Sequence, residues 1–134
     1  MLQRIQSVYM LLSAIAMSAG MYFLPVYLVD EAPVFLKEDG LLLMMSGLCA
    51  GISIANVFNF KNRKLQVVLN RIAIILSFVL FGFLMWEWIG QPEDVVVTGK
   101  LGMAMPLINV ILVVLANRAI QKDELLVRSA DRLR

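Results

Sequence analysis

Charged residues in this chain come in clusters, and the stretches between clusters are apolar for longer than a soluble element requires. Four stretches carry no charge: Val8–Val29, Leu41–Phe60, Ile72–Trp86 and Leu101–Asn117. A helix crossing a bilayer needs about 20 apolar residues. The first two stretches meet that length unaided. The third meets it by continuing through Glu87 to Ile89, with Trp86 and Trp88 suited to a membrane interface. The fourth meets it if Gly99 and Lys100 lie at its mouth. The pattern predicts an all-α polytopic membrane protein with spans at approximately 8–29, 41–60, 72–89 and 101–117. Residues 118–134 form a charged tail. Short connections make successive spans antiparallel neighbours, so the expected architecture is an antiparallel four-helix transmembrane bundle with a short cytoplasmic C-terminal helix.

Composition supports the pattern. Of 134 residues, 60% are hydrophobic and 16% charged, against about 25% charged in an ordinary soluble domain. A soluble protein of this size cannot hide four such helices in one core. The apolar run from Val8 also outlasts the 7–15 residues of a secretory signal, so it is expected to be a retained span.

Charge sets the expected orientation. Ten of the twelve basic residues fall on one side of the four spans: Arg4, Lys61, Arg63, Lys64, Arg71, Arg118, Lys122, Arg128, Arg132 and Arg134. Lys37 and Lys100 fall on the other, with Asp30, Glu31, Glu38, Asp39, Glu87, Glu93 and Asp94. Basic loops stay cytoplasmic, so both termini are expected in the cytoplasm. In the outer loops, Pro33–Leu36 and Val95–Val97 are short apolar pieces that either pair as two strands or dip into the interface.

Helices in lipid pack through small residues. Gly47, Gly51 and Ala55 form such a stripe on the second span, and internal packing is its expected use. Asn109, an amide deep in the fourth span, requires a partner across the bundle, with Ser53 and Ser77 as candidates. Pro25 and Pro106 lie near outer span ends, where they shape an end.

Chemistry is scarce. The chain has no His and one Cys, Cys49, which rules out an internal disulfide and leaves no ligand set for a metal. A net charge of +2 gives no basis for nucleic-acid binding. The span interiors hold no ionisable group of the kind that marks an ion path, and no catalytic constellation is visible. The chain is expected to be no enzyme, with no cofactor, no metal and no catalytic residue.

The two ends carry a resemblance. "MLQRIQSVYMLL" at residues 1–12 and "KDELLVRSADRLR" at 122–134 resemble the opening and closing signatures of a small four-span integral membrane family of Bacteroidota, catalogued as a domain of unknown function. The resemblance covers the whole chain. It implies a bacterial inner-membrane location and brings no activity with it.

The tail itself is amphipathic. Leu125, Leu126, Ala130 and Leu133 share one side of a helical wheel; Glu124, Arg128, Asp131 and Arg132 share the other. Topology alone would need only basic residues, so the interleaved acids point to specific pairing. The expected role is that of an accessory or scaffold subunit docking through its cytoplasmic face, at Arg4, Leu125, Leu126, Arg128, Asp131, Arg132 and Leu133. Its expected partners are the lipid bilayer and other membrane-complex subunits. The alternative is a small carrier or channel for a small or lipidic substrate, with a polar path near Asn56, Ser77 and Asn109.

Overall fold

The computed structural model describes residues 2–133, with side chains from Ile5 onward. Helix α1 (Leu2–Ile15) runs through a π-helical turn, Ala16–Gly20, into a last helical turn, α2 (Met21–Phe23). Strands β1 (Tyr27–Val29) and β2 (Ala32–Val34), and a 3-10 turn at Leu36–Glu38, lead to α3 (Gly40–Phe58). Helix α4 (Arg63–Ile89), strand β3 (Val97–Gly99) and helix α5 (Leu101–Arg132) complete the fold. The protein is all-α in class, and four of its helical stretches are long and apolar enough to cross a membrane: Ile5–Phe23, Gly40–Phe58, Arg63–Ile89 and Leu101–Arg132.

Side-chain caps fix two of the helix starts. The Asp39 carboxylate accepts hydrogen bonds from the Leu41 and Leu42 amides (2.9 and 3.2 Å), satisfying donors that have no intrahelical partner. Asn62 does the same for Leu65 at 3.2 Å.

Each helix turns one regular seam inward. The seam of α1 is Gln6, Met10, Ser13 and Met17, and that of α3 is Leu42, Ser46, Cys49, Ser53 and Asn56. Helix α4 buries Gln66, Asn70, Ala73, Ser77, Leu80 and Leu84. Helix α5 buries Gly102, Pro106, Asn109, Val113, Ala116 and Ile120. Steps alternate between three and four residues, the 3.5-residue repeat that keeps one stripe facing a partner helix. Helix α1 packs on α3 and α5, and α4 packs on the same two. The outer faces carry the large apolar side chains, such as Phe58, Ile75 and Phe78. This surface suits hydrocarbon.

One end of the bundle, the terminal end, gathers the start of α1, the α3–α4 connection and the last third of α5. At the other, the sheet end, β1 lies between β2 and β3, antiparallel to both, with Leu28 opposite Pro33 on one side and Thr98 on the other. The β1–β2 turn is held by Asp30 and Glu31, both at positive φ (47° and 68°), as a two-residue hairpin with the native twist requires.

Four expectations change. The first span ends at Phe23, because the chain turns at Leu24–Pro25 and Tyr27–Val29 is the central strand of the sheet. Pro33–Leu36 and Val95–Val97 do not pair with each other; each neighbourhood pairs with β1 instead. Residues 63–71 continue α4 and are not a loop. The Gly47, Gly51 and Ala55 stripe is exposed on the outer face of α3, and a Cβ at Gly47 or Gly51 would meet nothing within 4 Å. Close backbone approach is found instead at Gly102, where an added Cβ would lie 2.6 Å from the Pro25 carbonyl oxygen.

Candidate functional site

Helix α5 outlasts the bundle. Its last buried residue is Ile120, and the helix continues without a break to Arg132. Where it leaves, Asp123 forms an ion pair of 2.9 Å with Arg63, the first residue of α4. Both side chains are partly buried, and the pair ties the exit of α5 to the start of α4. Beyond it, Leu125, Leu126, Val127 and Leu133 are exposed, Leu133 to 89%. Arg128 donates to Glu124 one turn earlier at 2.7 Å, the favourable orientation along a helix. Asp131 and Arg132 are exposed too. The tail therefore does not fold under the bundle; it projects. The side chain of Arg4 lies outside the described residues, as does Arg134.

The second feature is the polar part of the inner seam. Its buried polar residues are Gln6, Ser13, Ser46, Ser53, Asn56, Gln66, Asn70, Ser77 and Asn109. Asn109 donates to the Ser77 hydroxyl at 2.7 Å and accepts from Ser13. The hydroxyls of Ser13 and Ser53 lie 2.8 Å apart, so one cluster joins all four helices. Ser77 in turn donates to the Ala73 carbonyl at 2.8 Å, and the Cys49 thiol lies 4.0 Å from its hydroxyl.

Nearer the terminal end the seam becomes a chain of amides. Asn56 donates to the Gln66 carbonyl (2.9 Å) and to the Asn70 side chain (2.7 Å), and Asn70 donates to Asn117 (2.8 Å). Gln66 returns a bond to the Asn56 carbonyl at 2.9 Å and accepts from Gln6 at 3.5 Å. Two acceptors, Gln6 Oε1 and Asn56 Oδ1, take no hydrogen bond from the described residues. Ser46 bonds its own helix at Leu43.

Sequence reasoning singled out Asn109 and its two serine candidates. The structure joins Asn109 to Ser77 directly and to Ser53 through Ser13. Sequence reasoning missed Gln6, Gln66, Asn70 and Asn117, which lay outside the spans or at their edges. A signal was available: Ser13 follows Gln6, Ser53 follows Ser46 and Ser77 follows Asn70 by seven residues each.

Residues 2–133 match the family described as Domain of unknown function (DUF4293). The chain belongs to this family. No curated protein and no solved structure matches it. Membership in DUF4293 spans the bundle, the sheet and the projecting end of α5 together, so the tail is part of the family's own unit.

A third feature lies at the sheet end. Glu87, near the end of α4, and Asp39, the cap of α3, line one cavity. Tyr27 of β1 and Gln91 line the same cavity. Burial first, then the negative charges of Glu87 and Asp39, push the Tyr27 phenol above the ordinary value of 10.0. No paired carboxylates were expected from sequence, because 48 positions separate Asp39 from Glu87.

Proposed function

We propose that this chain is a non-enzymatic integral protein of a bacterial inner membrane, an antiparallel four-helix bundle with both termini cytoplasmic. Its role is that of an accessory or scaffold subunit, docking a partner through the projecting end of α5. The observation that carries this reading is the exposure of Leu125, Leu126 and Leu133 on a helix that has left its own bundle. Past Ile120 the helix has no packing of its own to hold it, and its apolar side chains are stabilised when another surface covers them. The acids among the arginines weaken simple attraction to anionic lipid and favour a protein surface of matched charge.

The experiment is a truncation that spares the Arg63–Asp123 pair, with the chain ending after Glu124. The shortened protein is expected to insert normally, yet to be degraded faster or to lose its partner on mild-detergent purification. Changing Arg128 and Arg132 to Glu is expected to reproduce much of that loss. A truncated protein that accumulates and co-purifies like the full chain overturns the docking role.

A carrier is the second reading, and the polar seam favours it: hydroxyls and amides run from Gln6 to Asn109 through otherwise apolar helices. The seam serves that reading if water enters it, and serves the scaffold reading if it stays closed and specifies helix packing.

A further inference from the structure

At the sheet end a half-open cavity of about 480 Å³ lies between β1, the start of α3 and the end of α4. Its volume is within the range of small-molecule sites. Three rings, Tyr27, Phe35 and Trp86, contribute to its walls, with Leu42 and Leu84 behind them. Its charged lining is Glu38, Asp39 and Glu87, with no basic residue. The nearest lysine in sequence, Lys37, is turned onto the rings of Phe35 and Tyr22, 4.6 and 5.8 Å from their centroids.

These properties select a ligand class. An anion is repelled by the three carboxylates. A neutral molecule leaves the negative charge of this lining unmatched by any positive group. A bare metal ion is a poor match, because no group of three or more metal-ligating side chains exists among the described residues and the space is far larger than one ion. An organic cation satisfies the lining: its charge sits between the carboxylates and its carbon-bound face lies on the rings, where the π-electrons attract it. We propose that this cavity binds an organic ammonium group, at the end of α4 between Glu87, Asp39 and the rings of Tyr27, Phe35 and Trp86. Asp39 is held in place by its cap on α3, so one wall of the site is rigid. Two sources offer this chemistry: a soluble amine, or an amine-bearing lipid headgroup reached past the exposed Trp86. The lipid source rests on the membrane reading; the soluble source does not.

The test uses the chain's own fluorescence, since Trp86 lines the cavity. The full-length protein, in nanodiscs of phosphatidylglycerol alone, is titrated with ethanolamine and with tetramethylammonium, using sodium at equal ionic strength as control. A saturable change with either ammonium and none with sodium is expected. Glu87→Gln and, separately, Asp39→Asn (which keeps the helix cap) are expected to weaken it about tenfold or more. If phosphatidylethanolamine in the disc abolishes the titration, the headgroup is the source; if the titration survives, a soluble amine is. The proposal is overturned if folded protein gives no response to either ammonium, if sodium gives the same response, or if both variants bind as the parent does.

Discussion

Gly102 and Gly51 are both glycines in apolar helices, and they answer to different constraints. At Gly102 the start of α5 lies against the backbone after α2, with its amide donating to the Pro25 carbonyl at 3.1 Å. A methyl group there would sit 2.6 Å from that oxygen, and backbone yields less readily than a side chain. At Gly51 the same methyl meets open space. Gly102→Ala is therefore expected to destabilise the protein by about 1–3 kcal/mol. Gly51→Leu is expected to leave stability within about 0.5 kcal/mol. Thermal unfolding of the two variants in one detergent checks the contrast, and equal losses would place the outer face of α3 against something.

At the scale of the helix, composition and burial run opposite to a soluble bundle. The positions that α4 hides include Gln66, Asn70 and Ser77, while Ile75, Phe78 and Phe83 face outward. This explains what could be read from sequence and what could not. The existence of four apolar helices was legible because charge is excluded from long runs. The seam was harder to see, because nearly every position in a run is apolar and inside is marked only by sparse Ser, Asn and Gln. The central strand was hidden for a related reason: Tyr27–Val29 is apolar and contiguous with the first run, so only Pro25 signalled that the helix had stopped. The stripe on α3 misled because small residues enable close packing without requiring it. Cys49 offers a probe of the seam, being the chain's single cysteine and fully buried beside Ser77. With a closed seam, a small aqueous thiol reagent is expected to leave Cys49 unmodified until the protein is denatured. Rapid labelling of the folded protein would mean that water reaches mid-bundle, and the carrier reading would gain.

For the molecule as a whole, the proposed orientation rests on charge at its two ends. The terminal end collects Arg63, Lys64, Arg118 and Lys122, and the sheet end collects Asp30, Glu31, Glu38, Asp39 and Glu93. A reporter active only outside the cytoplasm is expected to be silent after Arg134 and active when inserted beside Glu38; the reverse pattern would invert the protein. Helix α5 ties these two ends together. Its 32 residues reach about 48 Å at 1.5 Å per residue, from the Pro25 contact at one end to free solution at the other. Pro106 leaves the Gly102 carbonyl without its usual helical donor, so the weakest turn of that rod lies beside its backbone anchor. A push or twist on the tail would be met first at the Arg63–Asp123 pair, and whatever part travelled on along the rod would reach its softest turn at the sheet end.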